Sequence, residues 1–346
     1  MKLKSNMDIF EHKITTKNEL LLLGNMYVVS RALHTITELK IPDLFEDTLP
    51  KSIGALAKQC GIPQVLLKKL LRVLCPFGIF KENADGTFLL EKVGEVLKSS
   101  HPSGMRDLLF CEDCRWNSFG QMSQSLTTGE TGFSKLYNQE YFDYIARHPH
   151  LQAGFDSHMK AVSAKEDPII AESLPLAQKK KVIDVGGGKG GLLRAILMKN
   201  SHISGGIFEL PGVAKQEKDK LAQEFQGRIE IFSGSFFEAL PFKSDGIVLK
   251  RVLHDWDDAH CVQILSHCRE ALAEDGSGEI YIIESLIKGK EDLPLLRIFD
   301  LLLLTVFGGI ERNIEEYSSL FSQSKLKLKN VISTDCGMSI LIANQQ

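Results

Sequence analysis

The chain has 346 residues, with 41 Lys plus Arg against 44 Asp plus Glu and a formal net charge of -3. That length can hold two domains, and the near-neutral balance gives no electrostatic reason to expect nucleic acid or an anionic membrane as a general partner. Met1 to Asn18 lacks the apolar core of a signal peptide, and the longest apolar run, around Leu301 to Phe307, is too short to span a bilayer, so the sequence reads as a cytoplasmic globular protein.

From Glu19 to Leu39 apolar residues recur at helical spacing (Leu22, Met26, Val29, Leu33, Ile36), and Ile41-Pro42 stops the pattern. Two shorter helical patterns follow, Ser52 to Cys60 and Pro63 to Pro76, separated by Gly61. Gly78 to Phe80 and Thr87 to Leu90 then predict two short strands around the polar turn Asn83 to Gly86, completing the order of a winged helix. Its second helix carries Lys68, Lys69 and Arg72 but little else basic, which argues against DNA. The leucine-rich surface asks instead to be covered, so residues 1–105 are expected to form a dimerisation domain and the protein a homodimer.

Arg106 to Ser163 reads as helices around Leu109 to Leu126, Tyr137 to His148 and Leu151 to Ser163, with a break at Gly129 to Gly132. Residues 106–165 gather aromatic side chains (Trp116, Phe119, Phe133, Tyr141, Phe142, Phe155), most of them expected in a core and a minority lining a flat apolar pocket. Cys111 and Cys114 have C-x-x-C spacing without a second pair, and the seven cysteines are odd in number with no export signal, so neither zinc nor a disulfide framework is expected. His260, Cys261, His267 and Cys268 spread over two helical turns, about 10 Å, too far for one metal ion.

Lys181 to Gly191 reads KVIDVGGGKGG and is followed by the helical spacing of LLRAILMKN: a buried strand, a tight glycine turn and a helix. Glycines serve where a backbone takes positive φ or lies against a ligand, and the helix turns its first N–H groups toward whatever sits there. A phosphate loop needs Ser or Thr after Gly-Lys, but Lys189 precedes Gly190. Gly186, Gly188 and Gly191 satisfy the dinucleotide pattern G-x-G-x-x-G, yet Asp184 inside the strand and the chemistry downstream favour S-adenosylmethionine. A second strand ends in Glu209, whose carboxylate suits two ribose hydroxyls. A third, Ile229 to Phe232, leads to Ser235 and Phe236, where an aromatic ring can stack on adenine.

The fourth strand, Gly246 to Leu249, delivers Lys250, His254 and Asp255, and Asp255 either bonds the substrate or caps the helix that begins near Trp256. The fifth, Glu279 to Glu284, ends in another acid. Leu293 to Phe307 is an apolar helix carrying Asp300, assigned to the substrate side, and Glu311 follows it. Lys325 to Asn330 and Ser339 to Ile342 would close the sheet with an antiparallel edge. Residues 166–346 are therefore expected as a doubly wound, Rossmann-like α/β domain.

Taken together, these segments resemble a known family, the two-domain S-adenosylmethionine-dependent O-methyltransferases that include plant caffeate-type enzymes and acetylserotonin methyltransferase. The segments are LLRVL with GIF, VIDVGGGKGG, FELPGV, SGSFFEALP, LKRVLHDWDD and GGIER, in an order that covers nearly the whole chain. The resemblance implies Gly186 and Gly188 against the methionine part of the cofactor, Glu209 on the ribose, Ser235 and Phe236 flanking adenine, and Lys250 along the adenosine side. It implies His254 as general base between Glu284 and Glu311, Phe155 and Met159 facing the substrate, and Ser163 near the cofactor's carboxylate. The family usually has Asp where this chain has Glu209 and Ser235; glutamate keeps a carboxylate for the ribose, whereas serine removes one beside adenine.

Such a set fits methyl transfer to oxygen. Carboxylates raise the pKa of an imidazole from ~6.5 and fix its tautomer, which brings a phenol of pKa ~10 within reach of a general base. The expected activity is O-methylation of a small, aromatic, hydroxylated molecule. The competing readings are N-methylation or non-methylating chemistry on the same fold, a cofactor-sensing winged-helix regulator, and a dehydrogenase.

Overall fold

The computed structural model describes residues 13–45, 49–109, 112–211, 223–225, 227–289 and 294–346, so Cys111 of the C-x-x-C pair lies outside the described residues. The chain forms two compact units, Met1–Cys111 and Glu112–Gln346. Among the described residues no helix is long and apolar enough to cross a membrane.

In the first unit, helix α1 (Lys17–Glu38) starts with a capping box: Thr16 accepts from the Glu19 N–H while the Glu19 carboxylate accepts from Thr16. Only its C-terminal half is packed, burying Ala32, Ile36 and Thr37, while Leu20, Leu21, Leu22, Leu23, Tyr27 and Val28 are 45–67% exposed. α2 (Ile53–Cys60) is capped by Ser52 and ended by Gly61 in the left-handed region, and α3 (Gln64–Leu74) buries Leu67, Leu71 and Leu74. β2 (Phe80–Glu82) and β3 (Thr87–Leu90) form the expected hairpin. A third strand, β1 (Lys51–Ser52), joins the other edge of β3; two residues are too few to show a period in sequence.

The second unit is a seven-stranded sheet between helices. Its strands are β4 (Lys181–Val185), β5 (Ser204–Glu209), β6 (Ile229–Ser233), β7 (Gly246–Lys250), β8 (Glu279–Glu284), β9 (Leu326–Ser333) and β10 (Ser339–Gln345), in the order β6-β5-β4-β7-β8-β10-β9. The first five neighbours pair in parallel and the last two antiparallel, as the tail pattern implies. β4 and β7 are apolar on both faces, and their residues divide between two core layers: Ile183, Val185 and Ile247 in one, Val182 and Val248 in the other. The carboxyl ends of β4, β5, β6, β7 and β8 share one edge, and the polar residues of interest sit there.

The helical stretch before the sheet differs from the sequence pattern. The single helix expected from Leu109 to Leu126 is broken into Asp113–Ser118, a 3-10 turn and Met122–Thr128, and further short helices span Gly132–Tyr137 and Tyr141–Ala146. α4 (Pro149–Ser173) does not stop at Ser163 but runs for 25 residues through Pro168. Tertiary contacts carry it: Glu166 and Asp167 form ion pairs with Lys250 and Arg251, and Ile170 and Ala171 pack in the core with Leu192 and Leu193. The division expected after residue 165 lies within the span of this helix, and the two compact units meet between residues 111 and 112, close to the division expected after residue 105.

Candidate active site

β4 leads through Gly186 (φ +72°), Gly188 (φ +53°) and Gly190 (φ +74°) into α5 (Gly191–Lys199), conformations that strain any residue with a Cβ. At Gly191 the reason is different: a Cβ would lie 2.5 Å from Asp167 Oδ2. The loop therefore lies directly against α4. Asp184, in β4, is buried beneath the loop, and burial with the nearby Asp167 carboxylate raises it to about 7 despite Lys250.

Glu209, at the end of β5, accepts from the Gly188 N–H at 3.0 Å and the Leu210 N–H at 2.8 Å, and burial raises its pKa. Ser235 Oγ accepts from the Phe237 N–H at 3.2 Å, and a Cβ built on Gly186 would lie 3.9 Å from the Phe236 ring. A Cβ at Gly188 would meet nothing within 4 Å, so the loop faces open space there. An open glycine loop with a buried carboxylate on one side and an aromatic ring on the other fits S-adenosylmethionine.

Lys250, at the end of β7, turns its Nζ to α4: it donates to Ser163 Oγ at 2.9 Å and Asp167 Oδ1 at 2.7 Å, and lies 3.1 Å from Glu166 Oε2. Two acids from α4 outcompete an exposed position for a nearly buried ammonium. Lys250 and Ser163 are thus brought together at the helix, while Glu209, Ser235 and Phe236 occupy the β5 and β6 ends.

His254 sits in a 3-10 turn, Leu253–Asp255, just after β7. Its Nδ1 lies 3.2 Å from Glu311 Oε1 and 3.5 Å from Glu284 Oε2, so two carboxylates hold the proton on that nitrogen, while Nε2 lies 3.6 Å from Asp255 Oδ1. Glu284 Oε1 also accepts from the N–H groups of Val252, Leu253 and His254 at 3.1, 3.1 and 3.4 Å. The acid at the end of β8 therefore fixes both the turn and the ring it carries. Burial disfavours charge on His254, but Glu284, Asp255 and Glu311 outweigh it and raise its pKa to about 9. Burial raises Asp255 to about 6 and Glu284 to about 7, with His254 pulling each the other way.

Helix capping falls to Asp257, not Asp255: the Asp257 side chain accepts from the His260 N–H at the start of α6 (Asp258–Ala271), two residues later than the capping alternative for Asp255 required. Asp255 is left beside the imidazole. Asp300, on α7 (Pro294–Val306), accepts from the Glu311 N–H at 2.9 Å and so helps to place an acid of the cluster.

Arg312 was not signalled as a site residue. It is fully buried and donates to Leu253 O at 3.1 Å, Trp256 O at 2.8 Å and Asp258 Oδ1 at 2.8 Å, holding the backbone on both sides of His254-Asp255. The only sequence signal is a basic residue adjoining Glu311 in GGIER, and its direction becomes apparent only in the fold.

Aromatic rings from several elements cluster together, Trp256 among them just after His254 in sequence. Phe142 and Phe307 stack with centroids 5.4 Å apart at 18°, Phe155 meets both Tyr141 and Phe142 at 5.9 Å, and Trp256 lies 6.1 Å from Phe142. Phe155 and Met159 are half-buried, and with Ser163 they recur every four residues along one face of α4. Ligand atoms of His254, Glu284 and Glu311 lie within 4.8 Å of one another, a spacing a cation could also use. Two features favour a proton instead: Glu284 Oε1 is occupied by three N–H groups, and the Arg251 guanidinium adds positive charge beside the acids.

The chain matches the O-methyltransferase domain over residues 119–326 and the O-methyltransferase dimerisation domain over residues 21–100. It belongs to the O-methyltransferase family. The enzyme is 32% identical to phenazine O-methyltransferase PhzM of Lysobacter antibioticus over 92% of this chain and 93% of that one. It superposes with a TM-score of 0.82, at 30% identity and over 92% of its length and 96% of the other chain, on an O-methyltransferase from neocarzinostatin biosynthesis in complex with S-adenosyl-L-homocysteine and 1,4-dihydroxy-2-naphthoic acid. An 8-amino-8-demethylriboflavin N,N-dimethyltransferase of Streptomyces davaonensis is 28% identical over 86% of each chain. The protein is an S-adenosylmethionine-dependent O-methyltransferase with a mixed α/β catalytic unit and an N-terminal dimerisation domain.

Proposed function

We propose that this methyltransferase acts on a phenolic hydroxyl of a small, flat aromatic molecule, with His254 as general base. The observation that carries the reading is the arrangement of one ring: Nδ1 faces Glu311 and Glu284, which leaves Nε2 as the nitrogen able to accept a proton. Phe142, Phe155, Phe307 and Trp256 supply flat apolar walls for an aromatic acceptor, the class to which the naphthoate and phenazine named for the relatives belong.

In this reading Gly186 and Gly188 accommodate the methionine part of the cofactor, with Ser163 near its carboxylate, and Asp184 supports the loop from below. Glu209 takes the ribose hydroxyls, and Ser235 and Phe236 flank adenine. Phe155 and Met159 orient the acceptor. S-adenosylmethionine, when bound, supplies a methyl group already activated on a sulfonium, so the protein has to provide position and a deprotonated oxygen. His254 Nε2 takes the acceptor's proton as its oxygen becomes the nucleophile, Asp255 beside Nε2 favours the resulting imidazolium, and Glu284 and Glu311 spread its charge.

His254→Ala is expected to leave cofactor affinity unchanged while kcat falls by about 10²- to 10⁴-fold, and Glu209→Ala to weaken cofactor binding itself, both read by calorimetry and initial rates. Equal loss of cofactor affinity in the two variants would show that His254 is not the base. Turnover insensitive to chelators is expected, and restoration of activity by an added divalent metal would return the His254 cluster to the metal reading. The N,N-dimethyltransferase relative keeps one alternative in view: an amine acceptor methylated without need of His254 would place the reaction at nitrogen.

We also infer a homodimer through the uncovered apolar face of α1 in a winged-helix-like first unit, in an enzyme working in the cytoplasm. A monomeric mass by sedimentation at micromolar concentration would sink the dimer.

A further inference from the structure

We propose that the Tyr317 hydroxyl and one buried water hold the Glu284 and Glu311 carboxylates in place behind His254, making Tyr317 a positioning residue for the base. The inference rests on His254 being that base. Tyr317 lies on α8 (Ile314–Gln323), the helix that begins three residues after Glu311. Three buried atoms, Glu284 Oε2, Glu311 Oε2 and Tyr317 Oη, have no hydrogen-bond partner among the described residues. Glu284 Oε2 has only the 3.5 Å approach of His254 Nδ1. Buried polar atoms in native proteins are satisfied by protein groups or by ordered water, and three orphans around one catalytic ring form a single problem with a single solution.

These atoms share a neighbourhood. Tyr317 is fully buried in the core cluster that contains Val252, Leu253 and Cys261, and the N–H groups of Val252 and Leu253 bind the other oxygen of Glu284. The phenol sits within the electrostatic reach of both acids; burial first, then Glu284 and Glu311, hold its proton on, so it is a donor at every working pH. A water that accepts from the Tyr317 O–H and donates to Glu284 Oε2 and Glu311 Oε2 makes three hydrogen bonds, the usual number for a buried water.

Other charged or titratable groups around the cluster have their own partners. Arg251 is paired with Glu166, Arg312 with Asp258 and two carbonyls, the Cys261 thiol donates to Leu253 O, and Asp255 lies on the Nε2 side of the ring. None of these supplies the donor that the two carboxylate oxygens lack.

Tyr317→Phe removes one oxygen from a closed site and keeps the ring. Because the carboxylates behind His254 favour its charged form, losing a donor that offsets their negative charge makes the imidazole proton harder to remove. The acidic limb of kcat against pH is expected to move up by about one unit, with roughly tenfold lower turnover below the limb and recovery at alkaline pH. Cofactor affinity and acceptor KM should stay as in the parent enzyme. An unmoved limb, or a loss uniform across pH, overturns the proposal and leaves His254 as base; an active His254→Ala variant overturns the base assignment instead. Should Tyr317→Phe fail to fold, a high-resolution crystal structure of the parent enzyme decides. A solvent oxygen within hydrogen-bond distance of all three atoms is expected, and a dry gap or a metal ion there refutes the idea.

Discussion

At the residue scale the active site is an exercise in keeping a proton where it is needed. A lone buried histidine would be neutral, because burial penalises its charged form. Here Glu284, Asp255 and Glu311 reverse that and lift His254 to about 9, which makes it a strong base that is protonated in the resting enzyme at neutral pH. With His254 as the proposed base, the free enzyme must shed this proton to act, so kcat/KM is expected to rise with pH up to about 9. A profile flat from pH 6 to 9 would show that another group accepts the proton. His254, Glu284, Glu311 and Asp255 were all legible as chemistry in the sequence, since acids after strands and a histidine between them have few structural uses. Arg312 and Asp300 were less so. Arg312 works mainly through backbone carbonyls, and no residue type or spacing announces partners 54 to 59 positions away; the bond of Asp300 to the Glu311 N–H spans a helix end and a loop, which only the fold closes.

At the scale of elements, the glycine loop and α4 form one unit. Asp167 bridges them: Oδ1 binds Lys250 at the end of β7, and Oδ2 occupies the space beside Gly191 where a Cβ would be. Because the ion pair restrains that carboxylate, it cannot swing away freely. Gly191→Ala is therefore expected to cost about 1–3 kcal/mol of stability in denaturant titration, the range for overpacking, and to weaken cofactor binding. Wild-type stability in this variant would mean that Asp167 moves aside at little cost. The loop was readable because KVIDVGGGKGG combines a period change with glycines, whereas the continuation of α4 past Ser163 was not, since the ion pairs that hold Glu166 and Asp167 are made to residues more than 80 positions later.

At the scale of the whole molecule, four buried groups among the described residues make stability depend on pH. Asp184, Asp255 and Glu284 are raised to about 7, 6 and 7, and His254 to about 9, so each binds its proton more tightly in the folded chain than in the unfolded one. Their contribution is complete below the unfolded values, near pH 4 for the acids and 6.5 for histidine, and is lost as pH rises through about 6, 7 and 9. Glu279, lowered to about 2 by Lys329, Tyr281 and Lys179 against the opposing effect of burial, acts in the other direction but only below its ordinary value of 4.5. The apoenzyme should accordingly show a lower Tm at pH 9 than at pH 6 in scanning calorimetry. An equal or higher Tm at pH 9 would mean that these acids are solvated well enough to ionise without cost.

The sequence by itself determined the order along the chain of the strands in the large sheet, the glycine loop, the acids and histidine at the sheet edge, and the apolar face of the first helix, because each rests on local periodicity or on residue types with narrow uses. Tertiary structure decided which of those residues meet. It paired Lys250 with acids of α4, gave the capping role to Asp257, carried α4 across the expected domain division, and brought Arg312 to the turn that holds His254 and Asp300 to Glu311. A pattern along the chain records what each residue can do, but pairing across 50 to 90 positions depends on how the sheet brings distant segments to one edge.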